Sequence, residues 1–278
     1  NWANNLPGAV HNVNIEISVD GAVLDLRTLQ SPNGEAQVNS NTLKWRAARI
    51  PALSVVDPGE SGKFSFKVST IKDIPVRSDT DKNYVVKIVG SIATPEGSVG
   101  YEGVDISGRA SREYKVASRV LFTQKSYYYD SRIPNSGPIP PRVGQETTYT
   151  IVWSLLNTVN DIKGAEVRAT IPSYLRWTGQ IVPADPSLSF NASTRELVWR
   201  PDAIAAGTGF IRPAREVAFQ VGLTPALPQV KKRPELISTS QMEAVDIFTG
   251  SIFKEEGRSI DTSLPDDPKA SNKGEVTQ

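Results

Sequence analysis

His11 is the only histidine in the chain, and there is no cysteine. A Ser-His-Asp triad or a histidine-based metal site would have to be built on His11 alone. Thiolate chemistry and disulfides are excluded outright. His11 stands just before an alternating apolar run, where a loop or surface histidine is the default reading. Carboxylates are plentiful but scattered. Asp57 and Glu60 fall in one turn, and Asp266 and Asp267 fall near the C-terminus. A glycosidase needs two carboxyls facing each other across a cleft, and nothing in the spacing sets up such a pair. No D-x-D-x-D-G run occurs, which leaves Asp105, Asp130 and Asp161 as the candidates for a looser calcium site between domains. P-loop, G-x-G-x-x-G, H-E-x-x-H and G-x-S-x-G motifs are all missing. The expectation is a chain that is not an enzyme, with no cofactor and no metal.

One polar-aromatic cluster stands out, KSYYYDSR at 125–132. Successive side chains on a strand point to opposite faces, so Tyr127 and Tyr129 share one side and Tyr128 takes the other. Exposed tyrosine offers a large contact area at little entropic cost. Tyr127, Tyr128 and Tyr129 are therefore the candidate interface, either between domains or toward a glycan or partner, with Tyr128 the candidate for a glycan patch. NAS at 191–193 matches an N-glycosylation sequon in a turn. VKKRPE at 230–235 reads as a solvated basic turn. Lysine–asparagine cross-links occur in some surface sandwiches, but spacing alone places none here.

The elements that must carry these residues follow a period of two. Val13, Ile15, Ile17 and Val19 alternate with polar residues, as do Phe64, Phe66 and Val68. Tyr149, Ile151, Trp153 and Leu155 repeat the pattern, and so do Val217, Phe219 and Val221. Such alternation puts one face toward a core and one toward water, as in antiparallel sheets. Turn signals such as SPNGE at 31–35, DPGESG at 57–62 and TPEGS at 94–98 separate the runs. VWSLLNTVNDIKG could pass for a short helix, but its β-branched and aromatic content favours a strand. A net charge of +1 gives no electrostatic case for nucleic acid or an anionic membrane. No stretch approaches the roughly 18 apolar residues of a membrane span.

The chain also repeats itself. TLKWRAARIPALSVVDPGESGKFSFKV aligns with ELVWRPDAIAAGTGFIRPAREVAFQV, matching Trp45 to Trp199 and Phe66 to Phe219. Val13, Ile15 and Ile17 match Ala165, Val167 and Ala169, and Trp2 matches Trp153. The offset drifts from 151 to 154 along the repeat, as loop insertions would make it do. These tryptophans read as core residues between two sheets, and Trp177 has a weaker partner in Leu26. The second copy has two strand candidates at about 117–129 and 146–156, joined through Pro134, Pro138, Pro140 and Pro141. Two closing hairpins are expected, at about 83–107 and 235–264.

The expected architecture is all-β, two tandem Ig-like antiparallel β-sandwiches, the first lacking its N-terminal strands. The expected division is 1–115, 116–264 and a polar tail or linker at 265–278, in which GEVTQ is a stray strand candidate. Trp2 falls inside a strand of the repeat. Either the chain is a piece of a longer protein, or the first sandwich accepts a strand from a neighbouring chain, since an open edge is a template for pairing.

AEVRATIPSYLRWTG, SFNASTRELVWRPDAIAAGTG and REVAFQVGLTP together resemble the repeated immunoglobulin-like domains of unknown function in large bacterial surface proteins. There a W-x-x-x-N strand leads to V-x-V-x-V-x-L-P, then to an L-x-W-x strand and to L-x-P-G-E-S-x-x-F-x-V. The likeness covers 1–80 loosely and 117–262 well. Arg200-Pro201 and the longer GTGFIRPAR loop depart from the compact turn of the first copy. The resemblance implies an extracellular or cell-surface protein built of rigid units. The expected function is a structural repeat of a surface stalk, coat or filament, with other copies or neighbouring surface domains as partners. The alternatives are an adhesin or glycan-binding module meeting a partner cell surface, and a filament subunit assembled by strand donation.

Overall fold

The computed structural model describes residues 1–94, 100–185 and 187–278. The turn read at 94–98 lies, from Pro95 onward, outside them. The architecture is all-β, with antiparallel strand pairing and no α-helix among the described residues. The chain forms two units, Asn1–Ile74 with Asn83–Val116, and Pro75–Lys82 with Ala117–Gln278.

The second unit is a complete sandwich. One sheet runs in the order Val120–Tyr127, Thr147–Asn157, Arg215–Leu223, Leu175–Val182. The other runs Leu188–Asn191, Glu196–Trp199, Ile162–Thr170, Ser240–Asp246, Ile252–Gly257. The alternation in TTYTIVWSLL turns Tyr149, Ile151, Trp153 and Leu155 inward, where they meet Val167, Leu197 and Trp199 in one core. Each large side chain so buried contributes about 1.5–3 kcal/mol. The stretch that could pass for a helix, 152–164, holds the end of strand Thr147–Asn157 and the start of strand Ile162–Thr170.

The first unit repeats one sheet strand for strand. Its order is Glu35–Gln37, Thr42–Arg46, Asn14–Asp20, Val85–Ala93, Gly108–Lys115. Ile15 lies opposite Trp45 as Val167 lies opposite Trp199, and Ile17 opposite Leu43 as Ala169 opposite Leu197. The other sheet survives in pieces. Trp2–Ala3 pairs with Ser61–Gly62, and Leu24–Gln30 pairs with Lys67–Thr70. Trp2 opposite Gly62 corresponds to Trp153 opposite Val217, and Leu24 opposite Thr70 to Leu175 opposite Leu223. The stretch from Gly62 to Thr70 is longer than its counterpart, Val217–Leu223.

Two expectations need correction. The second strand of the first closing hairpin is Gly108–Lys115, beyond the span read from the sequence. Its sequence GRASREYK is mostly exposed and carries no apolar alternation. Residues 265–278 are also not a free polar tail. Asp267, Ala270 and Val276 are buried. The Lys231 N–H donates to the Val276 carbonyl at 2.9 Å, and the Val276 N–H to the Lys232 carbonyl at 3.0 Å. On the other side, the Thr277 N–H reaches the Pro141 carbonyl at 2.8 Å. GEVTQ is therefore strand-like, and the basic run at 230–235 is its backbone partner. Three isolated anchors hold this segment, and isolated anchors leave no periodic pattern to read.

The connection between Val120–Tyr127 and Thr147–Asn157 turns on Gly137, whose φ is +97°. A Cβ there would collide with the Glu146 carbonyl and lie 2.7 Å from the Thr147 Cα. Gly137→Ala is expected to destabilise the second unit by about 2–3 kcal/mol, measured as a lowered urea midpoint at unchanged slope.

Candidate strand-acceptor groove

The alternation of Asn14–Asp20 and Val85–Ala93 puts Ile15, Ile17, Ile88 and Ile92 on one face of the first unit's intact sheet. With Phe64 and Phe66 they line a cavity of about 470 Å³. These side chains are only half buried. Their counterparts Val167 and Ala169 are 0% and 5% exposed. The difference lies in what covers them. In the second unit Val120, Phe122, Tyr149 and Ile151 close the core from the opposite sheet. Among the described residues, nothing in the first unit takes those places. Lys63–Phe66, between two short paired segments, belong to no strand.

The tryptophans show the same gap. Trp153 Nε1 donates to Gln124 Oε1 at 2.6 Å, and Trp199 Nε1 donates to Asp185 Oδ2 at 3.0 Å. In the first unit both equivalent indole nitrogens, on Trp2 and Trp45, are buried without a hydrogen-bond partner. The rings stack through Phe64, with centroids 6.3 Å and 5.1 Å away. An unpaired buried donor costs about 1–3 kcal/mol. For Trp2 the missing acceptor is the one that strand Val120–Tyr127 supplies in the complete unit.

Along the open side of the groove runs the edge strand Gly108–Lys115. Register places Arg112 opposite Ile88 and Ala110 opposite Gly90, so both share the groove face. Arg109 and Arg112 also line the cavity. Neither makes an ion pair with a described residue; the neighbouring Glu113 lies 3.8 Å from Lys87.

The groups singled out for chemistry are dispersed. Among the described residues no cluster of three or more His, Cys, Asp or Glu is placed to hold a metal ion. Asp105 accepts from the Ser107 N–H, Asp130 pairs with Lys269, and Asp161 accepts from the Ala206 N–H. Glu60 caps its own turn by accepting from the Asp57 N–H. Asn191 does likewise for Ser193 in a hairpin turn. Among the described residues no lysine is buried.

Among the described residues three carboxylates are buried, a feature that residue type alone did not signal. Asp185 accepts from Ser187 and Trp199 and pairs with Arg215 at 3.0 Å. Asp246 accepts from the N–H groups of Ser118, Phe248 and Thr249 and from Asn160 Nδ2. Asp267 accepts from the N–H groups of Tyr128 and Tyr129 at 2.7 Å and 2.6 Å. Burial works to raise each carboxyl, but the combined hydrogen bonds outweigh it and hold all three below the ordinary carboxylate range.

Asp267 also reorders the tyrosine cluster. Strand Val120–Tyr127 ends at Tyr127, so strict alternation does not run through the three rings. Tyr128 packs against the core, and its hydroxyl donates to the Gly137 carbonyl at 2.5 Å. The exposed ring is Tyr129, at 46%. An interface at Tyr127, Tyr128 and Tyr129 would thus present Tyr129 rather than Tyr128. Asp267→Ala removes the shared acceptor. It is expected to cost about 2–3 kcal/mol locally, read as faster hydrogen exchange at Tyr128, Tyr129 and Val276.

No protein-family model matches the chain, and no curated protein matches it. Among solved structures it is similar to a variant of BcpA, the major pilin subunit of Bacillus cereus, at 12% identity and TM-score 0.35, covering 88% of this chain and 64% of that one. It is similar to the full-length major pilin SpaD of Corynebacterium diphtheriae at 10% identity and TM-score 0.32, covering 91% and 59%. The chain thus spans less than two thirds of either pilin. It is similar as well to the Danio rerio Fcho1 Mu homology domain with bound Eps15 peptide, at 9% identity and TM-score 0.29, covering 88% and 70%. Likenesses of this size, shared by pilins and a Mu homology domain alike, single out no function.

Proposed function

We propose that this chain is a structural, self-assembling protein of the cell exterior, a filament subunit whose first unit is completed by a β-strand from a neighbouring molecule. The observation that carries this reading is the groove. An apolar face that the second unit covers with Val120, Phe122, Tyr149 and Ile151 stands open in the first. Beside it, Lys63–Phe66 lie outside any strand. A free edge supplies main-chain hydrogen bonds to an added strand, and the pockets beneath accept its alternate side chains. Each apolar side chain seated there contributes about 1.5–3 kcal/mol before ordering costs.

Electron microscopy of the native material, with the intact mass of the polypeptide, tests this. Filaments in which a neighbour's strand lies in the groove are the expected result. A monomer whose own polypeptide fills the groove overturns it.

A further inference from the structure

Gly108–Lys115 and Ile252–Gly257 each form one edge of a five-stranded sheet. The second of these edges belongs to the complete sandwich, so it stays free even where both sheets are whole. Among the described residues, the backbone of 108–114 and of 252–256 makes no hydrogen bond beyond its own ladder. Hydrogen-bonded pairs alternate along an antiparallel ladder. The Val116 N–H donates to the Tyr84 carbonyl at 2.9 Å, and the Asp246 N–H to the Ser251 carbonyl at 2.9 Å. Counting along the registers from these two bonds, Arg109, Ser111 and Glu113 turn their N–H and C=O groups to the open side of one edge. Ile252, Lys254 and Glu256 do the same on the other.

Two such edges can join antiparallel only where these outward-bonding residues face one another. One of the allowed registers also matches the side chains. It sets Ser111 opposite Glu256, Arg112 opposite Glu255, Glu113 opposite Lys254 and Tyr114 opposite Phe253. Glu113 already lies 3.8 Å from Lys87, and Lys254 lies 2.6 Å from Glu243, whereas Arg112 and Glu255 have no ion-pair partner among the described residues. The joined row Lys87, Glu113, Lys254, Glu243 thus alternates in sign across four strands. In the next row but one Tyr114, 54% exposed, meets the half-buried Phe253. Opposite-charge and aromatic pairs are the favourable combinations across a ladder. A shift by two residues loses them, since Glu113 then meets Glu256 or Arg112 meets Phe253. Charge on an edge strand ordinarily blunts pairing; between these two edges it selects a partner.

We propose that Gly108–Lys115 of one molecule pairs antiparallel with Ile252–Gly257 of a second copy, fusing two five-stranded sheets into one. The contact is heterologous, so each molecule keeps one edge of each kind for its next neighbour and the association propagates. It rests on the reading of the chain as self-assembling but makes no use of the groove.

The chain has no cysteine, so introduced thiols report alone. A hydrogen-bonded antiparallel pair holds its Cα atoms about 5.5 Å apart, within reach of a disulfide. Ser111→Cys and Glu256→Cys, both at exposed positions, are made in separate 278-residue chains, mixed and mildly oxidised. Intact mass separates mixed dimers from like ones. Mixed dimers are expected to dominate. Adding Arg112→Glu to the first chain is expected to cut their yield roughly threefold to tenfold, and Glu255→Arg in the second chain to restore it. Mixed dimers no more abundant than random pairing of thiols gives, or a yield indifferent to the charge swap, overturn the edge contact. Strand uptake is read separately, from what lies in the groove. Filaments with a neighbour's strand in the groove but without this cross-link overturn the edge contact alone, and a chain that never assembles overturns both.

Discussion

Replacing Asp246 by alanine is expected to cost the second unit about 3 kcal/mol or more, among the largest single losses available in this chain. The carboxylate is fully buried. It gathers the Ser118 N–H at 2.9 Å, the Asn160 amide at 2.8 Å, and the Phe248 and Thr249 N–H groups at 2.8 Å and 2.9 Å. It thereby ties the entry of the unit to the turn after Ile162–Thr170's neighbour, Ser240–Asp246. Alanine leaves those donors unpaired, and each buried orphan costs about 1–3 kcal/mol less whatever relaxation recovers. The pH dependence has a definite sign. Asp185, Asp246 and Asp267 all lie below their ordinary range in the folded unit. Depressed folded values mean stabilisation that is full well above the unfolded carboxylate value of about 4. It is lost as pH falls through the folded values. Urea midpoints of the second unit are expected to fall steeply below about pH 4, and less steeply in Asp246→Asn, which removes one of the three titrating groups. A variant with an unchanged midpoint at neutral pH and an unchanged acid slope would refute this account of Asp246.

The repeat was legible because core positions recur with the strand period. Trp45 and Trp199 could be matched by eye, and the ladder places them opposite Ile15 and Val167. The strand candidates at 117–129 and 146–156 coincide with Val120–Tyr127 and Thr147–Asn157 for the same reason. Gly108–Lys115 was illegible because one of its faces meets the open groove and the other meets solvent, so neither selects an apolar series. The buried aspartates escaped notice because a carboxylate held by backbone N–H groups looks, in sequence, like any surface acid. Asp267 was read with Asp266 as part of a solvated tail, yet only its neighbour is partly exposed and paired to a surface arginine, Arg258. The groove itself was half legible. The repeat shows that strands are missing, while the orphaned indole of Trp2 is visible only in three dimensions.

Ile88→Glu is expected to abolish assembly while leaving the first unit folded. Ile88 lines the cavity and is half buried, so in the isolated chain a glutamate there keeps much of its hydration. The expected cost to the unit's own stability is within about 1 kcal/mol. Once a strand closes over the groove, the same glutamate must be desolvated, and the apolar contact of Ile88 is lost as well. Together these remove at least about 4 kcal/mol from strand uptake, roughly a thousandfold in affinity. Leu43→Glu supplies the contrast. Leu43 is 0% exposed in the packed part of the same sheet, so its replacement is expected to unfold the unit whether or not a strand is present. Light scattering reports assembly, and near-ultraviolet dichroism from the stacked Trp2, Phe64 and Trp45 reports folding. If Ile88→Glu unfolds the unit as Leu43→Glu does, the face is ordinary core and not an acceptor. If it leaves assembly intact, the strand enters elsewhere. A folded chain that no longer assembles is the one outcome that separates a docking face from a core.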